Sequence, residues 1–309
     1  MIGYLFPGQG TQSAGMLRKL GTFYDEVKEI FIMASDIAQK DITKLCLSES
    51  DEELKKTENT QIAVTAMNMA YLKILMNRDV QPDIVMGHSL GQFSALAASG
   101  VIDMQTLFHT IIKRAELMGK ISREGSLSTI IGLDYDVINE VCQEISDENG
   151  TVSVALYNTT KQIVIGGDLD YVTRASEILK DKGALRVVNV RVSNAFHTPL
   201  MKDMLPEFTA YIQEIEIKKP ECKLILNCKG DYSDDPEEIR EEIINQCCNQ
   251  VNWCAGLEKI LSGDNLILAE VGVGKTLAGM IRNMGSKEKV ALLSDPKALD
   301  KFLHTVKIK

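Results

Sequence analysis

The stretch DIVMGHSLGQFSALAASG, residues 83–100, decides the fold. A short apolar segment leads into GHSLG at 87–91, and apolar residues at helical spacing follow. That order predicts a strand, a sharp turn and a helix over 90–99. Glycines at 87 and 91 permit a tight turn that lifts the Ser89 hydroxyl clear of the sheet, where it can act as a nucleophile. The alternative is a serine that only caps the helix.

Strand and helix signals alternate on both sides of this stretch. A first strand, IGYLF, precedes the glycine-rich turn PGQG at 7–10, and helices are predicted over 60–77 and 103–120. Such alternation indicates a parallel α/β core. Between about 125 and 192 the order becomes β-α-β-β-α-β, which is typical of a ferredoxin-like unit. We therefore predict a large subdomain formed by 1–124 and 193–309, with a small ferredoxin-like subdomain, 125–192, inserted into it.

Composition excludes several classes of function. The chain has 309 residues and a net charge of −9, which disfavours binding along a nucleic-acid backbone. It contains no run of about 18 apolar residues, so no membrane-spanning helix is expected. The N-terminal MIGYLFPGQG predicts a strand rather than a signal peptide. Seven cysteines without a CxxC pair, and four scattered histidines, predict reduced thiols, a cytoplasmic location and no metal or other cofactor.

A serine nucleophile needs a base, and His197 is the best candidate. It stands in NAFHTPLM, in a loop directly after the last inserted strand and ahead of a helix. His88 is adjacent to Ser89, so its side chain points away from it, and His109 lies inside a predicted helix. A histidine that only caps or packs remains the alternative for His197.

A different class of function is suggested by AEVGVGKT at 269–276. The segment follows an apolar strand and matches a relaxed phosphate-binding loop, with alanine in place of the first glycine. Under this alternative the protein binds a nucleotide, and Lys275→Ala abolishes magnesium-dependent ATP binding. The missing glycine, the short chain after Thr276 and the lack of a later strand ending in aspartate weigh against it.

Taken together, the motifs resemble the malonyl-CoA:acyl carrier protein transacylases, both the enzymes of fatty-acid synthesis and the free-standing acyltransferases of polyketide synthases. FPGQGTQ, GHSLGQFSALAASG, KRAELM, YNTTKQIVIGG, NAFHTPLM, VNW and EVGVGKTLAGMI occur in the family's order across essentially the whole chain. The resemblance implies an α/β-hydrolase-like core with the ferredoxin-like insertion, and an active site in the cleft between them. It also implies a usually monomeric enzyme with malonyl-CoA and a phosphopantetheinylated acyl carrier protein as partners.

The resemblance also assigns roles to residues of this sequence. Ser89 resembles the acyl-accepting nucleophile and His197 its base, oriented by a backbone carbonyl that belongs to the residue before the tryptophan, Asn252. The backbone amides of Gln9 and Leu90 resemble an oxyanion hole. Arg114 resembles the clamp for the free carboxylate of malonate. The predicted substrate-binding residues are Arg114, Asn252 and Asn158.

Two positions depart from the family pattern, and a separate motif supports malonyl as the substrate. Gln92 stands where glutamate usually follows GHSLG, and Leu156 replaces the first asparagine of ANxN. Both departures bear on rate and on the choice of acyl group. The Ala-Phe-His form at 195–197 is similar to that of malonyl-selective acyltransferases. An acyl hydrolase that releases acyl groups from carrier proteins is the alternative within this fold, although such an enzyme has no need of Arg114.

Overall fold

The computed structural model describes residues 1–48, 50–190 and 194–307. Ten strands occur in this part of the chain: β1 (Ile2–Phe6), β2 (Ile84–Gly87), β3 (Ser126–Ile131), β4 (Val152–Thr159), β5 (Gln162–Gly167), β6 (Arg186–Val190), β7 (Lys223–Ile225), β8 (Tyr232–Ser233), β9 (Ile267–Glu270) and β10 (Val290–Leu292).

Thirteen α-helices occur in the same described residues: α1 (Tyr24–Ala38), α2 (Ile42–Leu47), α3 (Asp51–Lys55), α4 (Thr57–Met76), α5 (Leu90–Ala98), α6 (Met104–Lys120), α7 (Tyr135–Ile145), α8 (Leu169–Asp181), α9 (Leu205–Gln213), α10 (Pro236–Asn245), α11 (Trp253–Leu261), α12 (Thr276–Asn283) and α13 (Pro296–Lys307). Short 3-10 helices cover Met16–Phe23, Pro199–Met204 and Gln246–Cys248.

The large sheet has the strand order β10-β9-β1-β2-β7-β8. The first five strands are parallel, and β8 pairs with β7 in the antiparallel sense. At the centre, β1 and β2 lie side by side with Phe6 opposite Gly87. Because parallel strands end at the same edge of a sheet, the PGQG loop after β1 meets the GHSLG turn after β2.

The small sheet has the order β4-β5-β3-β6 and is antiparallel throughout. Helix α7 joins β3 to β4, and α8 joins β5 to β6, which is the predicted β-α-β-β-α-β order. Apolar residues of both helices form a core with the sheet; this core includes Ile130, Ile138, Val141, Ile163 and Leu179. The predicted fold class, a parallel α/β core with a ferredoxin-like insertion, is confirmed.

The predicted subdomain boundaries remain predictions. The small sheet and its helices occupy residues 126–190, and the boundary predicted between 192 and 193 lies outside the described residues. The helix expected after NAFHTPLM is divided in the structure into the 3-10 helix Pro199–Met204 and α9. Pro206 stands at the start of α9, where a missing backbone amide breaks no helical hydrogen bond.

Helix α4 is buried on nearly all sides and supports the loop after β1. Its apolar residues pack into the main core, so its sequence lacks a polar face. One polar side chain in it, Asn68, is fully buried and donates to the Pro7 carbonyl (3.0 Å) and the Ser94 hydroxyl (3.1 Å). These bonds tie the loop to both α4 and α5.

No helix in the described part of the chain has both the length and the apolar composition needed to cross a membrane.

Candidate active site

Ser89 occupies a strained turn between β2 and α5. Its backbone has φ +51° and ψ −108°, which is rare for a residue with a side chain. A Cβ on Gly91 would lie 2.0 Å from the Phe6 carbonyl oxygen, and one on Gly87 would lie 1.9 Å from the Gly91 oxygen. Only glycine fits at either position. The turn is therefore held by close backbone packing, and it presents the Ser89 side chain above the sheet edge.

His197 lies within hydrogen-bond distance of this serine. Its Nε2 is 2.6 Å from Ser89 Oγ, and its Nδ1 is 2.8 Å from the carbonyl oxygen of Gln246. A carbonyl only accepts, so Nδ1 carries the proton and Nε2 is left to accept one from the serine hydroxyl. The His197 amide also donates to the Cys247 carbonyl (2.8 Å), and its φ is +63°. The imidazole is thus anchored through both its ring and its backbone.

The carbonyl that orients His197 was assigned to the wrong residue. It belongs to Gln246, not to Asn252, whose carbonyl accepts from Gly256 in the first turn of α11. The reason is that α10 ends at Asn245 and passes into the 3-10 helix Gln246–Cys248, which leaves carbonyls free at this helix end. The side chain of Asn252 instead donates to the Cys228 carbonyl.

The pKa of His197 is lowered to about 3. Burial is the largest cause, and the neighbouring positive charge of Arg114 is the second. The side chain is nearly inaccessible to solvent, with 4% of the residue exposed. Both causes disfavour the imidazolium form. His197 is therefore neutral near pH 7, which is the state that a proton acceptor needs.

Arg114 is a buried cation without a carboxylate partner among the described residues. It lies on α6 and is 2% exposed. Its two terminal nitrogens donate to Gln61 Oε1 (2.7 Å) and Gln246 Oε1 (3.3 Å), while its buried Nε has no partner. The guanidinium also lies 5.3 Å from the centre of the Phe93 ring. A desolvated charge of this kind is costly unless an anion pairs with it, so the site is suited to bind one.

One cavity of about 310 Å³ brings most of the predicted site residues together. Its walls include Ser89, His197, Arg114, Leu90 and Gln9, all of which were predicted from the sequence. Additional described residues that line it are Gly10, Gln12, Lys55, His88, Met118, Leu127, Leu156, Val190 and Phe196. The small sheet supplies the apolar side chains at 127, 156 and 190, so the cavity lies between the two sheets.

The backbone amides at the start of α5 leave one donor for a ligand. The Ser89 amide donates to Asn227 Oδ1 (2.8 Å), and those of Gly91 and Gln92 donate to carbonyls of the turn. Within this described first turn, no partner is seen for the Leu90 amide, and Leu90 lines the cavity. The PGQG loop lies against it, because a Cβ on Gly8 would be 3.4 Å from that nitrogen. An oxyanion formed at Ser89 would meet the positive end of the α5 dipole here.

Asn158 and Asn252 do not line this cavity in the described part of the chain. Asn158 Oδ1 lies 2.8 Å from His88 Nε2, and the imidazole of His88 packs edge-on against Trp253 with 5.1 Å between ring centres. Burial lowers the pKa of His88, so this ring is a neutral packing group. The substrate-binding role predicted for these two asparagines stays a prediction.

The segment 269–276 does not offer an empty anion site. The buried carboxylate of Glu270 accepts from the amides of Leu277 (3.3 Å) and Ala278 (3.0 Å) at the start of α12. A phosphate would need those same donors. The Glu270 carboxylate thus already occupies the backbone amides that a bound nucleotide would need, which argues against the nucleotide alternative. Within the described residues, no cluster of three or more His, Cys, Asp or Glu side chains could hold a metal ion.

Gln246, Gln61 and Asn227 were missed by the sequence analysis. Each is buried and contacts Ser89, His197 or Arg114. Gln61 lies on α4, Asn227 in the loop after β7 and Gln246 directly after α10. No sequence motif marks any of them. Only the folded arrangement brings them to the site.

The fold and the cavity define a class: α/β proteins with a serine and a histidine paired at the carboxyl edge of a parallel sheet. Known proteins agree with this class. A family model described as "Acyl transferase domain" matches residues 3–291. The malonyl CoA-acyl carrier protein transacylase of Bacillus subtilis (strain 168) is 30% identical over 308 residues, covering 99% of this chain and 97% of that protein.

Two further comparisons point the same way. The transacylase of Haemophilus influenzae (strain ATCC 51907 / DSM 11121 / KW20 / Rd) is 35% identical over 288 residues, with 91% of each chain covered. A solved malonyl-transacylase in complex with its type II PKS acyl-carrier protein superposes with a TM-score of 0.93 at 31% identity, covering 98% of this chain and 99% of that chain. The chain therefore belongs to the acyl transferase domain family, as one of its malonyl-CoA–acyl carrier protein transacylases, and it is an acyltransferase.

Proposed function

We propose that the protein moves a malonyl group from coenzyme A to the phosphopantetheine thiol of an acyl carrier protein through an ester on Ser89. One observation carries the proposal: a serine–histidine pair shares a cavity with a buried arginine that has no carboxylate partner among the described residues. The arginine predicts an acyl group with a free carboxylate, which malonyl has. Its planar guanidinium can bind that carboxylate with two hydrogen bonds.

In the first half-reaction, Ser89 Oγ attacks the thioester carbonyl and its proton passes to His197 Nε2. The amides of Leu90 and Gln9 hold the oxyanion. When the carbon–sulfur bond breaks, His197 returns the proton to the departing CoA thiolate. The malonyl-Ser89 ester remains, with its carboxylate on Arg114. The malonyl carboxylate neutralises the positive charge of Arg114, so His197 can accept a proton more readily once the acyl group is bound.

In the second half-reaction, the carrier-protein thiol gives its proton to His197 and attacks the ester carbonyl. Ser89 leaves and takes the proton back from His197, which restores the starting state. The apolar walls at 127, 156 and 190 exclude water from the ester in the meantime. Activity as a monomer remains a prediction. The cytoplasmic location remains a prediction.

Loading and transfer give the direct test. Incubation with malonyl-CoA is expected to add one malonyl group to the intact protein, as measured by mass spectrometry, and acetyl-CoA is expected to add far less. Added holo carrier protein should remove the adduct faster than water does, whereas apo carrier protein, which lacks the thiol, should not. Loss to water as fast as to the holo carrier would favour the acyl hydrolase instead.

The pH dependence of loading tests the role of His197. An ordinary imidazole gains a proton near pH 6.5, which would stop it acting as a base. Because the pKa of His197 is lowered to about 3, its neutral form persists as the pH falls. We expect kcat/KM for malonyl-pantetheine, which lacks the titrating 3′-phosphate of CoA, to stay level from pH 8 down to about 5. An acid limb centred between pH 6 and 7 would contradict this assignment.

A further inference from the structure

A buried carboxylate lies beneath the Ser89 turn, outside the cavity. Glu242 on α10 is 7% exposed, and its Oε1 accepts from the Cys228 amide (2.8 Å) and from Gln92 Nε2 (3.2 Å). No ion pair between described residues includes it. Burial raises the pKa of Glu242, whereas these hydrogen bonds favour its ionised form. The scheme above leaves this group without a role.

Glu242 sets which way the Gln92 amide points. An ionised carboxylate only accepts, so it selects the NH2 group of Gln92 and turns the amide oxygen to the opposite side. There, Gln92 Oε1 accepts from the Asn227 backbone amide (2.9 Å). Gln92 is 1% exposed, so water offers no alternative partner.

Asn227 passes this arrangement on to the nucleophile. Its side-chain oxygen accepts from the Ser89 amide (2.8 Å), and its side-chain nitrogen donates to the Gly87 carbonyl (2.7 Å). Asn227 thereby holds both ends of the strained turn. A shift of Asn227 would release the backbone conformation that keeps Ser89 Oγ at His197.

We propose that Glu242 and Gln92 are positioning residues for Ser89, acting through Asn227. The proposal rests on the proposed function, because it explains how this chain holds its acyl-accepting serine. It also gives a reason for the departure at position 92. The carboxylate that the family usually has after GHSLG is supplied in this chain by α10, and position 92 carries the complementary amide.

The two side chains therefore form a matched pair that can be exchanged. Gln92→Glu alone would place a second carboxyl group about 3 Å from that of Glu242, and two carboxyl groups at that distance cannot both be ionised. The exchanged pair, Gln92→Glu with Glu242→Gln, restores every bond. The carboxylate at position 92 then accepts from Asn227 and from the amide at position 242, whose oxygen accepts from Cys228.

Few other ionisable groups face this pair. Among the described residues, the Cys228 thiol interacts directly with Glu242, and Cys247 and Cys248 lie close enough to Cys228 to affect its pKa. Burial and then the charge of Glu242 raise the pKa of the Cys228 thiol, so it stays neutral over the working range. A pH effect in Gln92→Glu would therefore report the carboxylate pair.

The test compares wild type, Gln92→Glu, Glu242→Gln and the exchanged double variant. Ser89 acylation is followed by intact mass with two probes, malonyl-CoA and a fluorophosphonate that modifies reactive serines. We expect Gln92→Glu to react about ten- to a hundredfold more slowly at pH 8 with both probes. It should recover as the pH falls and the two carboxylates share a proton. Glu242→Gln, which loses the carboxylate that fixes the Gln92 amide, should react about two- to tenfold more slowly than wild type. The double variant, which has a carboxylate paired with an amide again, should react like wild type at every pH.

Folding and controls are measured alongside. The exposed Gln105→Glu adds the same charge on α6 and should change nothing. If Gln92→Glu does not fold, a folded and active double variant still supports the pairing, because only the exchange then tolerates a carboxylate at position 92. A Gln92→Glu variant with wild-type rates, or a double variant no faster than Gln92→Glu, overturns the proposal. If wild type reacts with the fluorophosphonate but not with malonyl-CoA, the proposed function fails while the positioning role is still decided by the fluorophosphonate.

Discussion

Ser89→Ala is expected to abolish the malonyl adduct and to reduce transfer to the carrier protein by a factor on the order of 10⁴ to 10⁶. The reason is geometric as well as chemical. Ser89 Oγ lies 2.6 Å from His197 Nε2, at a turn where backbone packing forces this side chain toward the cavity. Intact mass after incubation with malonyl-CoA measures the adduct, and thiol release from CoA measures the rate.

A matched control comes from the other end of α5. Ser99 follows α5, is buried, and donates its hydroxyl only to carbonyls of that helix (Ala95 at 2.9 Å and Leu96 at 3.1 Å). Ser99→Ala should therefore load malonyl at the wild-type rate. His197→Gln should still form the adduct, but about 10² to 10⁴ times more slowly, because a general base is lost while the nucleophile remains. An adduct of full yield in Ser89→Ala would show that another residue carries the acyl group.

The parts of the fold predicted from the sequence are those encoded by local pattern. The GHSLG turn was predicted because its strand, its glycines and its helix are contiguous in the chain, and the structure shows why Gly87 and Gly91 must be glycines. The small subdomain was predicted because its four strands and two helices follow one another without interruption. The strand order β4-β5-β3-β6 then follows from the topology of that unit.

The errors arose where a contact joins distant parts of the chain. The His197 partner was placed at Asn252 because a tryptophan marks that position, whereas the carbonyl that orients His197 belongs to Gln246, directly after α10. Nothing in the local sequence marks which carbonyl near a helix end will face a histidine from a distant part of the chain. Glu242 looks like one more charge on a surface helix, yet it is buried against Gln92. Hydrogen bonds between residues 150 positions apart have no sequence period to reveal them.

Replacing Arg114 is the second large effect. Arg114→Met should lower kcat/KM for malonyl-CoA about thirtyfold to several thousandfold, because truncating one side of a buried charge pair costs about 2–5 kcal/mol. Loading of acetyl-CoA, which has no carboxylate, should change much less. Arg114→Lys keeps the charge but not the planar fork, so its kcat/KM for malonyl-CoA should lie between those of wild type and Arg114→Met. Equal losses with malonyl and acetyl would contradict the clamp and point to general damage.

General damage is a real alternative here, since Arg114 also donates to Gln246, whose carbonyl orients His197. Thermal stability distinguishes general damage from the specific loss of the carboxylate clamp. In the free enzyme, Arg114 is a buried charge with no carboxylate partner among the described residues, so its removal should leave Tm unchanged or raise it. Malonate should raise the Tm of wild type by pairing with the guanidinium and leave that of Arg114→Met unaltered. A malonate-dependent rise in the variant would show that the anion binds elsewhere. A fall in the variant's Tm by several degrees would instead show that the fold needs this cation.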